Sequence, residues 1–98
     1  MSEGISINLK YFAMIRDITG KKEESLPLKE GSSAMDVLTK LAEIYKEKLS
    51  QFIFDENGKP RENLTFLING QAIKSENLKE KKLRNGDIFV ILPPISGG

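Results

Sequence analysis

Apolar residues recur along this chain with two different periods. Ile5, Ile7, Leu9 and Tyr11 alternate with Ser6, Asn8 and Lys10, and a period of two predicts a strand with one buried face. Phe12 falls on the polar parity. Either the strand twists and Phe12 joins the core, or it stands exposed as an anchor for a partner. Residues 13–20 predict a short helix or helical turn, with Ile15 and Ile18 three apart and Gly20 as a left-handed cap. Residues 22–28 predict a second strand, and Pro27 places it at a sheet edge because proline lacks a ladder donor.

The period changes at residue 33. Ser33 with Asp36 three residues on forms a variant capping box. Ala34, Val37, Leu38, Leu41, Ile44, Tyr45 and Leu49 then follow at helical spacing. Lys40, Glu43, Lys46, Glu47 and Lys48 occupy the other side, with the mixed signs of a solvated face. Phe52-Ile53-Phe54 predicts a short strand, followed by a turn at Asn57-Gly58 and a loop running through Asn63. Residues 64–68 and 71–73 flank Asn69-Gly70, a two-residue hairpin signal. A polar connection over residues 77–83 carries Leu78 and Leu83 as apolar pins, and Asn85-Gly86-Asp87 turns into a last strand, residues 88–92.

Two strands, one helix of about four turns and then further strands leave few arrangements. The helix must cover one face of a four- to five-stranded mixed sheet. This predicts an α+β fold, a β-grasp (ubiquitin-like) roll. Neither the first nor the last strand contains an internal proline, so both are expected in the centre, side by side and parallel. Alternation puts Ile88, Val90 and Leu92 on one face and Phe89 and Ile91 on the helix side.

The last strand runs into Pro93-Pro94-Ile95-Ser96-Gly97-Gly98. Two prolines stop the strand and favour an extended exit. Six residues reach roughly 20 Å at ~3.3 Å each, enough for a tail to enter a partner's active site while the body stays outside. Gly97 and Gly98 carry no side chain, so a narrow channel can close around bare backbone. Such a tail suits a terminal carboxylate that is itself the reacting group. A glycine-rich end that merely frays is the competing explanation, and mobility is expected beyond about Ile95.

Composition narrows the choice. Ninety-eight residues are expected to make one domain, 1–98, with a flexible tail from about 93 to 98. Fifteen basic and fourteen acidic residues leave a net charge of +1, so no nucleic-acid or membrane partner is expected. The chain has no histidine and no cysteine. The usual general base, thiol nucleophile and transition-metal ligands are therefore missing, and neither a self-contained enzyme nor a metal site is expected. Without a cysteine framework, a signal-peptide pattern or an apolar run long enough to span a bilayer, a cytoplasmic location is expected.

Phe12-Ala13, Arg16, Gly20, Leu83, Asn85-Gly86-Asp87 and the Leu92-to-Gly98 end together resemble the small subunit of molybdopterin synthase (MoaD type). The residue 52–63 stretch resembles that family's archaeal branch, which includes the small archaeal ubiquitin-like modifiers. The resemblance implies a sulfur carrier in molybdenum cofactor biosynthesis. Gly98 would be adenylated by an activating enzyme using ATP and converted to a thiocarboxylate with sulfur from a sulfurtransferase. The tail, Pro93 to Gly97, would then enter the large catalytic subunit, which takes the sulfur for a pterin precursor. No cofactor would be bound by the chain itself, and the catalytic groups would belong to the partners. The resemblance also implies an exposed partner-binding patch that includes Phe12 and Leu92, and alternation adds Val90 on Leu92's face. The same tail fits a protein modifier joined through Gly98 to target lysines, a sulfur donor for tRNA, or a thiamin-type carrier, although carriers of the last type lack the Pro-Pro. A β-grasp binding module with an inert tail is the reading from another class.

Overall fold

The helix and the ends of the sheet explain the architecture. The structure is a computed structural model that describes residues 4–93. The elements follow in the order β1 (Gly4–Tyr11), α1 (Ala13–Thr19), β2 (Glu23–Lys29), α2 (Ala34–Ile53), β3 (Thr65–Ile68), β4 (Gln71–Ile73), a single 3₁₀ turn and β5 (Ile88–Leu92). The five strands form one mixed sheet in the order β2-β1-β5-β3-β4. β1 and β5 are central and parallel, Leu9 beside Phe89 and Tyr11 beside Ile91. This is the expected β-grasp roll.

β2 is an edge strand, and its proline is placed accordingly. Tyr11 donates its backbone N–H to the Lys22 carbonyl at 2.8 Å. Hydrogen-bonded pairs alternate along an antiparallel ladder, so position 27, opposite Ser6, faces outward. No ladder partner is lost there. At the opposite edge, Asn69 (φ 52°) and Gly70 (φ 87°) both take the left-handed backbone that a two-residue hairpin requires.

Two expectations change in α2. The capping box is present: Ser33 N–H donates to the Asp36 carboxylate at 2.8 Å, and Asp36 N–H donates to Ser33 Oγ at 3.3 Å. Phe52-Ile53-Phe54, however, is not a strand. The helix continues to Ile53, and Phe54 makes only an isolated bridge with Pro60. Arg61 explains the extension, because it caps two of the last carbonyls. Its Nε donates to Gln51 O at 3.0 Å and its backbone N–H donates to Ile53 O at 2.8 Å, satisfying groups that a helix end leaves open.

The helix is also broken at Lys46, whose backbone (φ 60°, ψ −147°) is not helical. At 3.6 residues per turn, an unbroken helix would turn Lys48 and Phe52 toward the sheet, so Lys48 stands on the solvated side expected for it only because of the break. The break advances the phase by one position, and Leu49 and Ile53 are fully buried instead. Burying Lys48 would have cost several kcal/mol of desolvation. Ile44, expected in the core, is 46 % exposed at the rim of the apolar stripe.

The core lies between α2 and one sheet face. Ile7, Leu9, Tyr11, Phe66, Ile68, Phe89 and Ile91 from the sheet meet Val37, Leu38, Leu41, Leu49 and Ile53. Phe66 and Phe89 pack edge to face with centroids 6.3 Å apart. Leu78 and Leu83, the two expected pins, are buried. No helix among the described residues is long and apolar enough to cross a membrane.

Candidate functional site

Strand register brings the candidate residues together on the sheet face away from α2. One row across all five strands reads Glu23, Lys10, Val90, Leu67, Ala72. Ile88 lies beside Asn8, and Leu92 beside Thr65. Tyr11 is paired with Ile91, so the same register carried one residue further brings Phe12 alongside Leu92. Phe12 is 43 % exposed and Ile88 37 %, while Val90, Leu92 and Leu67 are half-buried. An apolar strip with charge at one end thus runs beside the point where β5 reaches Pro93. Pro93 is half-buried. Pro94, Ile95, Ser96, Gly97 and Gly98 lie outside the described residues.

The start of β5 is tied on both sides, and this decides which residues face outward. Asn69 Nδ2 donates to Asp87 Oδ1, and Ile88 N–H donates to Asn69 Oδ1, both at 2.9 Å. Ser6 N–H donates to Asn85 Oδ1 at 2.8 Å, and Gly86 N–H donates to Ser6 O at 2.8 Å. The two asparagine-glycine turns therefore lock β5 to β3 and to β1. A slip of one residue would send Phe89 and Ile91 outward and Val90 inward.

Behind the Phe12 end of the strip stands a polar cluster. Tyr11 and Tyr45 both donate their hydroxyls to Glu24 Oε2, Tyr45 at 2.7 Å. Lys21 Nζ lies 3.0 Å from Glu24 Oε1. Burial pushes the Glu24 carboxyl up, but hydrogen bonds from Tyr11, Tyr45 and Lys21 outweigh it and hold its pKa below the ordinary value. Burial, then the bond to Glu24, raises the pKa of both phenols. The hydrogen bond to Glu24 is the main cause that raises Lys21. All four groups are thereby held in their usual charge states, and β1, β2 and α2 are joined just before the helix break.

Val90 and Leu92 therefore share one face, as alternation along β5 indicates, and the β1–β5 register puts Phe12, which parity left open, beside them. Leu67 and Ala72 join them and were not legible without the β3 register. The strip offers an open apolar surface beside the end of β5.

The sequence model of the ThiS family matches residues 9–98. Small archaeal modifier protein 3 of Haloferax volcanii is 28 % identical over 94 residues, covering 96 % of this chain and 100 % of the relative. The molybdopterin synthase sulfur carrier subunit of Chlamydomonas reinhardtii is 24 % identical over 94 residues, with the same coverage of both chains. The solution structure of small archaeal modifier protein 1 from Methanosarcina acetivorans superposes with a TM-score of 0.76 at 35 % identity, covering 97 % of this chain and 98 % of that one. The chain belongs to the ThiS family, whose fold is the ubiquitin-like β-grasp.

Proposed function

From its place in the ThiS family, we propose that this chain is a cytoplasmic sulfur carrier and the small subunit of a molybdopterin synthase. Gly98 is the group that reacts. An activating enzyme joins its carboxylate to the α-phosphate of ATP, releasing pyrophosphate. Sulfide-level sulfur delivered through a sulfurtransferase then attacks the acyl carbon, AMP leaves with its phosphate oxygen, and a thiocarboxylate remains. A carboxylate is a poor electrophile, and the acyl adenylate supplies the leaving group it lacks. The chain contributes no catalytic side chain to either step. Its part is to dock and to hold the tail in place, and such positioning supplies much of the rate in intramolecular-like reactions.

The observation that carries this reading is the family match, which extends from residue 9 to the Gly97-Gly98 end. The apolar strip of Phe12, Val90 and Leu92 supports it as the surface for the large catalytic subunit and the activating enzyme. The modifier relatives at 28 % and 35 % identity favour a second reading, in which the same activated Gly98 forms an isopeptide bond with target lysines.

Intact-protein mass spectrometry tests the first step. The protein is incubated with ATP, the activating enzyme of the same organism and a sulfur donor, beside a variant lacking Gly97-Gly98. The expected result is a mass gain equal to one oxygen replaced by sulfur in the full chain alone. No gain, with an enzyme that activates another carrier, overturns the carrier reading. Transfer of that sulfur to a pterin precursor by the large subunit then supports the synthase role, whereas conjugates on a denaturing gel that vanish in the truncated variant support the modifier reading.

A further inference from the structure

Three non-glycine residues among those described have a positive φ. Asn69 sits in the hairpin turn, where such a backbone is required. Lys46 breaks α2 and rephases it. Ala13 (φ 52°) lies next to Phe12 at the edge of the apolar strip, and neither of those reasons covers it.

The chain is held firmly on both sides of this pair. Tyr11 is buried, its N–H bonded to Lys22 O at 2.8 Å and its hydroxyl to Glu24. Phe12 itself is still extended (φ −134°, ψ 153°). Ile15 is fully buried and donates its N–H back to Phe12 O at 3.1 Å. Between these anchors Ala13 reverses the chain from strand into helix and leaves the Phe12 ring on the open face.

Glycine is the default residue for a left-handed position. Alanine is strained there, but its left-handed well is narrow, whereas glycine ranges widely over positive φ. We propose that Ala13 is a positioning residue for docking: its strained left-handed backbone fixes the direction in which Phe12 meets the partner. The inference rests on the docking role proposed above for the Phe12 strip. It makes a prediction that a purely structural role does not, namely that relieving the strain stabilises the fold and weakens docking together.

The test uses the full chain, ATP and the activating enzyme of the same organism, reading pyrophosphate release as KM and kcat for the carrier, with melting temperature measured in parallel. Ala13→Gly is expected to raise the melting temperature by about 3 °C, to raise KM about threefold, and to leave kcat unchanged. Ala13→Asn, which tolerates the left-handed well with a side chain in place, is expected to keep the KM of the natural protein. Phe12→Ala is the control and is expected to raise KM about tenfold or more. If Phe12→Ala raises KM and Ala13→Gly does not, the positioning role is overturned and the docking strip stands. If Phe12→Ala leaves KM unchanged, the docking reading itself fails. A fall in melting temperature with the rise in KM for Ala13→Gly also overturns the proposal, because the residue would then serve folding alone.

Discussion

The two faces of the sheet differ in how their apolar residues are used. On the covered face, Leu9, Phe89, Ile91 and Phe66 are at most 1 % exposed and meet α2. On the open face, Val90, Leu92, Leu67 and Ile88 come from β5 and β3, with one residue of offset, and no helix among the described residues covers them. A single strand, β5, supplies both. Hydrophobicity alone does not distinguish the covered face from the open one, since each residue of Ile88–Leu92 is apolar. The distinction comes from parity, and parity is set by the hydrogen bonds at the strand's start. Substitutions on the two faces should therefore separate stability from binding.

The largest effect is expected at the covered face. Phe89→Ala removes the ring that packs edge to face on Phe66 and should cost about 3–5 kcal/mol in denaturant unfolding. A loss below about 1 kcal/mol would erase the contrast between the faces.

Phe12→Asp addresses the other side. It should weaken binding of the activating enzyme or large subunit by about 2 kcal/mol, read by calorimetry, and change folding stability by no more than ~0.5 kcal/mol. Equal losses of stability and binding would place Phe12 functionally with the core.

A smaller effect concerns the polar cluster that closes the covered face at its Phe12 end. Tyr45→Phe removes one hydrogen bond to Glu24 and should cost about 1 kcal/mol. Because the folded-state pKa of Glu24 lies below the ordinary 4.5, its stabilisation is fully present above pH 4.5 and disappears as pH falls through the folded value. Acid titrations of unfolding should therefore be shallower below pH 4.5 in Glu24→Gln than in the natural protein. Identical slopes would mean that the cluster does not bind its proton differently on folding.

The smallest change, opposite in sign, is Lys46→Gly. Glycine accepts φ 60° without strain, and a gain of ~0.5 kcal/mol is expected by thermal unfolding. A loss instead would show that the Lys46 side chain holds the break that lets α2 cover the sheet.

Local pattern determined a good deal by itself. The period-two run of β1, the capping box at Ser33, the proline at the β2 edge and the Asn69-Gly70 turn each follow from the chemistry of neighbouring residues, and each is where its residues indicate. So is the split of β5 into Phe89 and Ile91 against Val90 and Leu92. The absence of histidine and cysteine, together with the Pro93-Pro94-Ile95-Ser96-Gly97-Gly98 end, points away from side-chain catalysis and toward a presented carboxylate.

Other features depended on distant parts of the chain. Phe52-Ile53-Phe54 looks like a strand in isolation, but Arg61, eight residues beyond Ile53, caps the helix there instead. Beyond the break at Lys46, Leu49 and Ile53 are fully buried and Phe52 packs at the margin of the core, an arrangement seen only against the sheet. Leu67 joins the open apolar strip only through its pairing with Val90. Phe12, ambiguous by parity, is resolved by the left-handed turn at Ala13. Short-range periodicity encodes which face of an element is apolar. What covers that face, or leaves it open to a partner, is decided by contacts between elements far apart in sequence, and only the folded chain brings those together.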